Sequence, residues 1–353
     1  MGLNYPLDLD AWSRWQQRQN RVRWAKNSLK SLVSRGAAGD GAPATAYLHT
    51  PAHQAQQAQV LMVLDSFSPT SRASLLEPIK HLKVPAAILA PGDAREYLDG
   101  DWSVESVELA QLTQKLPEVQ IVLSLGHYLA LGYAAYDYAR AIGAQYWVVQ
   151  HGLLVPNAPP LPIGSVLLAF SQQDADYWIS GRKDVRSHPV GSQLLYTAAR
   201  TAKDKKQHTS GEIVFLGQMH GAELPRASFA RAAYTFLKNN GGVYRPHPSE
   251  KDKLSTLTHQ LWEKAGIRID RSSVALKDMT NPVVSIFSTG VLEAAIRGID
   301  AWVYHPAPPA WLEEFWARYG MHRWGDTPTP APVQPDQEPA LTIAELIMEE
   351  LEN

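Results

Sequence analysis

Between about residues 46 and 305 the chain alternates short, nearly continuous apolar runs with longer stretches of helical periodicity. A first series comprises QVLMVLD (59–65), VPAAILA (84–90), VQIVLSL (119–125), QYWVVQ (145–150) and SVLLAFS (165–171). After a polar, lysine-rich interruption, TAKDKKQHTSG (201–211), a second series follows: EIVFLG (212–217), GGVYRP (241–246), GIRID (266–270), PVVSIFS (282–288) and AWVYH (301–305). Strands without polar alternation are buried on both faces, so each series predicts a parallel sheet covered by helices. The expected fold class is α/β, with one Rossmann-like domain over residues 46–200 and another over 201–325.

The flanks read differently. Residues 8–35 predict one helix, with Trp12, Trp15, Val22, Leu29 and Val33 near helical spacing. Arg14, Arg18, Arg21, Arg23, Lys26, Lys30 and Arg35 on the same segment outweigh Asp8 and Asp10. Such a basic amphipathic helix either lies on an anionic membrane surface or packs its apolar stripe on the protein body. The Gly/Ala/Pro run from Gly36 to Thr45 reads as a linker, making 1–45 a helix-plus-linker segment. Residues 326–353 form a last segment, the Pro-rich TPTPAPVQPDQEP followed by the helical LTIAELIMEELEN.

Length agrees with this division, since 353 residues exceed what one hydrophobic core usually organises. Lys plus Arg (33) nearly balances Asp plus Glu (35), so no global field recruits nucleic acid, and no nucleic-acid partner is expected. Without cysteine there are no disulfides, thiolate metal sites or cysteine nucleophiles, as suits a cytoplasmic protein. The N-terminus lacks a signal-peptide pattern, and no run of about 18 apolar residues is present. The expectation is a cytoplasmic protein, with peripheral contact at the inner membrane face if the basic helix serves that purpose.

In open α/β sheets ligands sit beyond the carboxyl ends of the strands, which directs attention to the residues that end apolar runs. In Val243-Tyr244-Arg245-Pro246-His247-Pro248 a strand delivers Arg245 and His247, and two prolines stiffen the backbone that aims them. Arg can fork onto phosphate oxygens and His can donate to them, whereas the plainer reading is a stiff turn whose His caps something. In Ser285-Ile286-Phe287-Ser288-Thr289-Gly290-Val291-Leu292-Glu293 a strand runs through small hydroxyl residues directly into a helix. Amides at a helix start and neighbouring hydroxyls favour an anion, although simple N-capping by Ser288 or Thr289 accounts for the same residues. At a strand end in the first series, Gln150-His151-Gly152 offers His151 as a general base, or as a group that positions the loop Leu153–Pro162. Asp65, ending VLMVLD, is the best-placed carboxylate, while Glu77, Asp93 and His127 read as surface or capping residues.

The pair of segments Arg245-Pro246-His247-Pro248 and Ser288-Thr289-Gly290-Val291-Leu292-Glu293-Ala294 resembles the C-terminal half of GT-B-fold transferases. The likeness is to teichoic-acid (CDP-glycerol) glycerophosphotransferases and to bacterial polysialyltransferases with related capsule-synthesis glycosyltransferases. It spans roughly residues 145–305 and takes in Gln150-His151-Gly152, Val190-Gly191-Ser192 and Phe215-Leu216-Gly217. The resemblance implies that His247 and the hydroxyl pair hold the phosphate of a CMP- or CDP-linked donor, favoured over a UDP-linked one. It further implies Arg245, Gly290 and Gly217 at the donor site, Glu293 within reach of a ribose hydroxyl, and His151 as base, with Asp65 in reserve. The Asp-Asp-Gly or Glu-Asp-Gly string of polysialyltransferases is absent, which separates this chain from sialic-acid chemistry.

The expected activity is therefore a metal-independent glycosyl- or polyol-phosphate transferase of cell-surface polysaccharide or glycoconjugate synthesis. A glycan or lipid-linked acceptor is its second substrate, and it uses no separate cofactor. Two alternatives share the architecture: a UDP-sugar 2-epimerase-like enzyme, and a non-catalytic transferase fold that binds glycan or a partner. Asp-x-Asp spacings at Asp8/Asp10, Asp99/Asp101 and Asp174/Asp176 are too common to predict a metal. No GxxxxGK[ST], HExxH or GxSxG motif occurs, which removes the readings those motifs carry.

Overall fold

A computed structural model describes residues 8–19, 45–52, 57–203, 209–219, 221, 223–272 and 274–353. The chain forms two compact units, one of Gly2–Gly152, Asn157–Tyr196 and Pro335–Asn353, the other including Leu153–Pro156 and Thr197–Gln334. Each carries its own sheet, so the architecture is mixed α/β as expected from the two series of apolar runs.

In the first unit the strands are β1 (Thr45–Pro51), β2 (Val60–Val63), β3 (Ala86–Ala90), β4 (Trp102–Glu108), β5 (Ile121–Ser124), β6 (Gln145–Val149), β7 (Val166–Ala169) and β8 (Arg186–Pro189). Their order is β4-β1-β3-β2-β5-β6-β7-β8. From β3 to β8 all pairs are parallel, Val60 of β2 facing Ala86 on one side and Ile121 on the other. β1 runs antiparallel to both β3 and β4. The five predicted runs became the buried strands β2, β3, β5, β6 and β7. Three strands went unpredicted: β1 and β4 mix exposed with buried positions, and β8 is RSHP, so none shows a continuous apolar run.

The second unit contains β9 (Val214–Leu216), β10 (Val243–Arg245), β11 (Arg268–Ile269), β12 (Val283–Ser285) and β13 (Ala301–Val303), all parallel, in the order β11-β10-β9-β12-β13. This is a doubly wound order whose direction of growth reverses between β9 and β12. Phe215 of β9 and Tyr244 of β10 stack in its interior, and Trp262 meets Tyr244 edge-on at 4.9 Å.

The C-terminal segment, read from sequence as a separate 326–353 element, divides at Gln334, and Pro335–Asn353 belongs to the first unit. Its helix Pro339–Glu352 begins with proline, the residue suited to a first helical position. Ala340, Ile343, Ala344 and Ile347 recur at helical spacing and are fully buried. Ile343 and Ile347 join the core of Met62, Ile88, Leu123 and Trp147. Gln193 fixes the helix start, its Oε1 accepting from Ala340 N at 2.9 Å and its Nε2 donating to Glu338 at 2.7 Å. Near the other end Glu350 pairs with Arg186 at 3.1 Å.

Of the basic N-terminal helix, Leu9–Gln19 is described; the remaining basic positions from Arg21 onward and the Gly36–Ala44 linker lie outside the described residues. Trp12 is buried, meets Tyr128 edge-on at 5.3 Å and donates from Nε1 to Asn157 O at 2.6 Å. This part of the stripe packs on the body of the first unit. Among the described residues no helix is long and apolar enough to cross a membrane.

Candidate functional site

The carboxyl edge of the second sheet gathers most of the predicted site. Its centre is the loop after β9, beside the point where strand order reverses. Gly217 N donates to Arg245 O at 2.8 Å, holding this loop against the end of β10. Gln218 reaches the other way: its Oε1 accepts from Phe287 N at 3.0 Å and lies 3.0 Å from Ser285 Oγ, at the end of β12. Met219 N donates at 2.9 Å to the buried carboxylate of Glu250.

Gly217 has a steric reason to be glycine. A Cβ there would lie 2.3 Å from Tyr244 Oη and 2.8 Å from Glu250 Oε1, inside any tolerable contact. Gly290 is similarly confined, since a Cβ at that position would meet Leu216 Cδ1 at 2.8 Å and Leu276 Cδ2 at 2.9 Å. Both glycines thus serve packing behind the edge.

The two residues of the Arg-Pro-His-Pro segment take different environments. Arg245 directs its guanidinium along the sheet edge, donating to Asp270 Oδ2 at 3.1 Å and to the Val274 carbonyl. The fork that the sequence assigns to phosphate therefore meets a carboxylate of the protein. Burial works against ionisation of Asp270, but the Ser272 hydrogen bonds and Arg245 hold its pKa below the usual value. His247 lies on the exposed loop, and its Nδ1 accepts from Ser249 N at 3.1 Å. A nitrogen that accepts an amide N–H carries no proton, so neutral His247 holds its proton on Nε2. Desolvation by the surrounding chain lowers the His247 pKa, against the opposing pull of Glu250.

Ser288 is the N-cap of the helix Thr289–Ile296, its Oγ accepting from Gly290 N at 3.1 Å. Capping and anion binding use the same helix end, and the cap is the role the geometry displays. Thr289 is the first helical residue, half-buried, and Glu293 stands one turn later with its pKa raised by burial against the influence of Arg297. Because β9 lies between β10 and β12, the His247 and Ser288 loops start about 10 Å apart, at roughly 4.8 Å per strand. They flank the Gly217–Met219 loop.

His305 is a further residue at this edge that the strand reading passed over. It follows β13 in the second His-Pro pair of this unit, and its Nδ1 accepts from Ala307 N at 3.2 Å, repeating the arrangement at His247. Its Nε2 lies 2.8 Å from Ser228 Oγ. The repeated His-Pro dipeptide was the available signal.

In the first unit Asp65 lies two residues beyond β2 and spans two backbone amides, Oδ1 accepting from Leu131 N at 2.8 Å and Oδ2 from Gly132 N at 3.2 Å. The helix Ala130–Ile142 has Leu129 at its N-cap, which offers no side-chain acceptor, so Asp65 supplies what the helix lacks. Burial raises the Asp65 pKa and these hydrogen bonds oppose the rise. His151 follows β6 and the buried Gln150, whose Nε2 donates to Asp174 Oδ2 and Gly152 O, both at 2.9 Å. The loop beyond His151 is anchored by other side chains: Trp178 Nε1 donates to Pro159 O at 2.8 Å, and Arg182 donates to Leu161 O at 2.6 Å. Burial pushes the His151 pKa down to about 4, which keeps the ring neutral, the form a proton acceptor needs.

Burial likewise sets His127 at about 4, with Arg182 adding to the shift, and its buried Nδ1 has no hydrogen-bond partner among the described residues. His49, wholly buried, is also lowered by burial, its Nε2 accepting from Ala94 N at 2.9 Å. These folded-state pKa values lie below the unfolded value of 6.5. The unfolded chain therefore binds protons more readily, and stability present above that pH is lost as the pH falls towards 4. Denaturant titrations of the protein at neutral pH and near pH 4.5 should show a loss on the order of a few kcal/mol. His127→Phe should reduce that pH dependence, and an unaltered one would remove His127 from the set.

Among the described residues no three His, Cys, Asp or Glu side chains assemble as a group able to hold a metal ion.

No family model matches the chain, and no curated protein matches it. Among the solved structures that are loosely similar are the following. Anabaena Alr3699/HepE in complex with UDP-glucose is 12% identical over 83% of this chain and 90% of its own, with a TM-score of 0.44. The beta Kdo 2,4 transferase of Thermosulfurimonas dismutans KpsC is 16% identical over 83% of this chain and 90% of its own, at a TM-score of 0.33. Its beta Kdo 2,7 transferase is 14% identical over 67% and 85%, at 0.26. Likeness at this level lies in the broad course of the chain and does not extend to chemistry.

Proposed function

We propose that this protein is a metal-independent transferase that moves a glycosyl or polyol-phosphate group from a CMP- or CDP-linked donor to a glycan or lipid-linked acceptor. The observation that carries the reading is the tautomer of His247. With Nδ1 accepting from Ser249 N, its proton sits on Nε2 at the carboxyl edge of a doubly wound sheet, where an anionic ligand is expected.

In the proposed reaction the acceptor hydroxyl attacks either the anomeric carbon or the phosphorus of the transferred group. The bond to the nucleotide phosphate oxygen breaks, and CMP, or CDP where a CDP-linked glycosyl is transferred, departs with the electron pair. His247 donates a hydrogen bond to the departing phosphate, and the amide end and hydroxyl of Thr289, beside the Ser288 cap, add to its stabilisation. Arg245 contributes charge while Asp270 holds its fork, and Glu293 is assigned to a ribose hydroxyl. His151 takes the proton of the acceptor hydroxyl, a role its neutral form permits. Asp65 is the weaker alternative because both its oxygens are already engaged by amides.

A thermal-shift panel of CMP, CDP, UDP and GDP tests the donor class. A nucleotide at about 100 times its Kd should stabilise the folded state by roughly 2.7 kcal/mol. Cytidine nucleotides are expected to give the largest rise; a rise with UDP alone would reverse the choice of donor, and none with any of the four would remove the nucleotide reading.

A further inference from the structure

Glu250 is an acid with a wholly buried side chain in the second unit, and no lysine or arginine is ion-paired with it among the described residues. Its oxygens accept instead from Tyr244 Oη at 2.9 Å and Met219 N at 2.9 Å, with His259 Nε2 3.2 Å away. His259 Nε2 thus lies within hydrogen-bond distance of the Glu250 carboxyl group. The backbone N–H of Glu250 donates to His247 O at 2.8 Å. One residue thus holds the loop after β9 through its side chain and the His247 loop through its backbone. Gln218, next to Met219, ties that same central loop to the end of β12 through Phe287 N and Ser285 Oγ, each at 3.0 Å.

We infer that Glu250 and Gln218 are positioning residues that lock the loops after β10, β9 and β12 into one rim, fixing His247 relative to Ser288 and Thr289. A buried polar network with its groups paired specifies one arrangement, and losing a member leaves its partners buried and unpaired. The loop after β9 opens with Gly217 and Gln218, neither of which carries an apolar side chain to define its course. Its two polar anchors face opposite neighbours, Glu250 on the β10 side and Gln218 on the β12 side. Neither residue needs to touch a ligand for this. The inference deepens the nucleotide reading and rests on it for its functional meaning.

Glu250→Gln keeps an acceptor for Met219 N but turns an amide donor towards His259, while Gln218→Ala removes the tie to β12. Each is prepared in the full chain and checked for cooperative unfolding. Binding of the nucleotide that the panel identifies is then measured by calorimetry, and the His247 imidazole is followed by ¹⁵N NMR. Each variant is expected to weaken nucleotide binding by about tenfold or more and to disturb the His247 tautomer, whose wild-type signature is a proton on Nε2. Gln218→Glu, which keeps the acceptor oxygen, should recover part of the affinity lost in Gln218→Ala. Lowered melting temperature with unchanged affinity and unchanged His247 signals would make both residues merely structural and overturn the inference. If no nucleotide binds the unaltered protein, the donor reading fails separately, and the NMR arm still decides: a His247 signature unmoved in both variants overturns the positioning role.

Discussion

Replacing His247 with alanine is expected to lower transfer from a nucleotide-activated donor by about 10²- to 10⁴-fold while the protein stays folded. The separation of the two effects follows from the environment of the ring. His247 is on an exposed loop, and its Nδ1 is hydrogen-bonded to the amide of Ser249, two residues away. The segment is secured by backbone bonds that alanine leaves in place, Gly217 N to Arg245 O and Glu250 N to His247 O. Stability should therefore change by only about 0.5 kcal/mol, as at other surface positions. The departing phosphate, in contrast, loses a donor whose direction the fold has already set. Gln at this position should recover some of the loss through its amide donor. Steady-state transfer measured alongside thermal unfolding separates the two quantities, and full transfer by the alanine variant would remove His247 from the reaction.

Removing Pro335–Asn353 should have the largest effect on folding. Ile343 and Ile347 are fully buried among Met62, Leu123 and Trp147, and Pro335 and Pro339 close over Gly191, where even a methyl group would lie 2.8 Å from Pro335 Cγ. Burial of a large aliphatic side chain contributes about 1.5–3 kcal/mol, so the two isoleucines alone represent roughly 3–6 kcal/mol. That is comparable with the whole net stability of many domains, roughly 5–15 kcal/mol. The truncated first unit is expected to lose cooperative unfolding and to become protease-sensitive, while Ile347→Ala should leave it folded but about 2–5 kcal/mol less stable. Circular dichroism with denaturant titration measures both. A truncated protein that melts like the full chain would show the helix to be dispensable.

The interior of both sheets could be read from the sequence because buried parallel strands write their burial into every position. VLMV, AAILA, IVLS and VLLA have no polar alternation to confuse them. The antiparallel pair β1 and β4 escaped because TAYLHTP and WSVESVE are buried only in part, and their pairing joins segments far apart in sequence. Among site residues, the positions of Arg245, His247 and Ser288 at strand ends were legible, but their partners were not. Nothing in the string RPHPSE distinguishes a guanidinium aimed at phosphate from one held by Asp270 twenty-five residues later. Gly217 was visible as a glycine, yet its cause lies in Tyr244 and Glu250, which individually resemble a strand residue and a charged loop residue. Asp65 shows the same limit: its carboxylate answers an uncapped helix that begins more than sixty residues downstream.

The return of Pro339–Glu352 to the first unit also sets an order of events during synthesis. Domains commonly fold as they emerge, the N-terminal one first. Here residues 197–334 of the second unit have all been made before the helix that completes the first core exists. Until then the face later covered by Ile343 and Ile347 stays open on the nascent chain, so the unit whose synthesis starts first cannot close its core before Pro339–Glu352 has been made. The growing polypeptide carries an unsealed first sheet up to that point, and that sheet is where a chaperone would find apolar surface to hold.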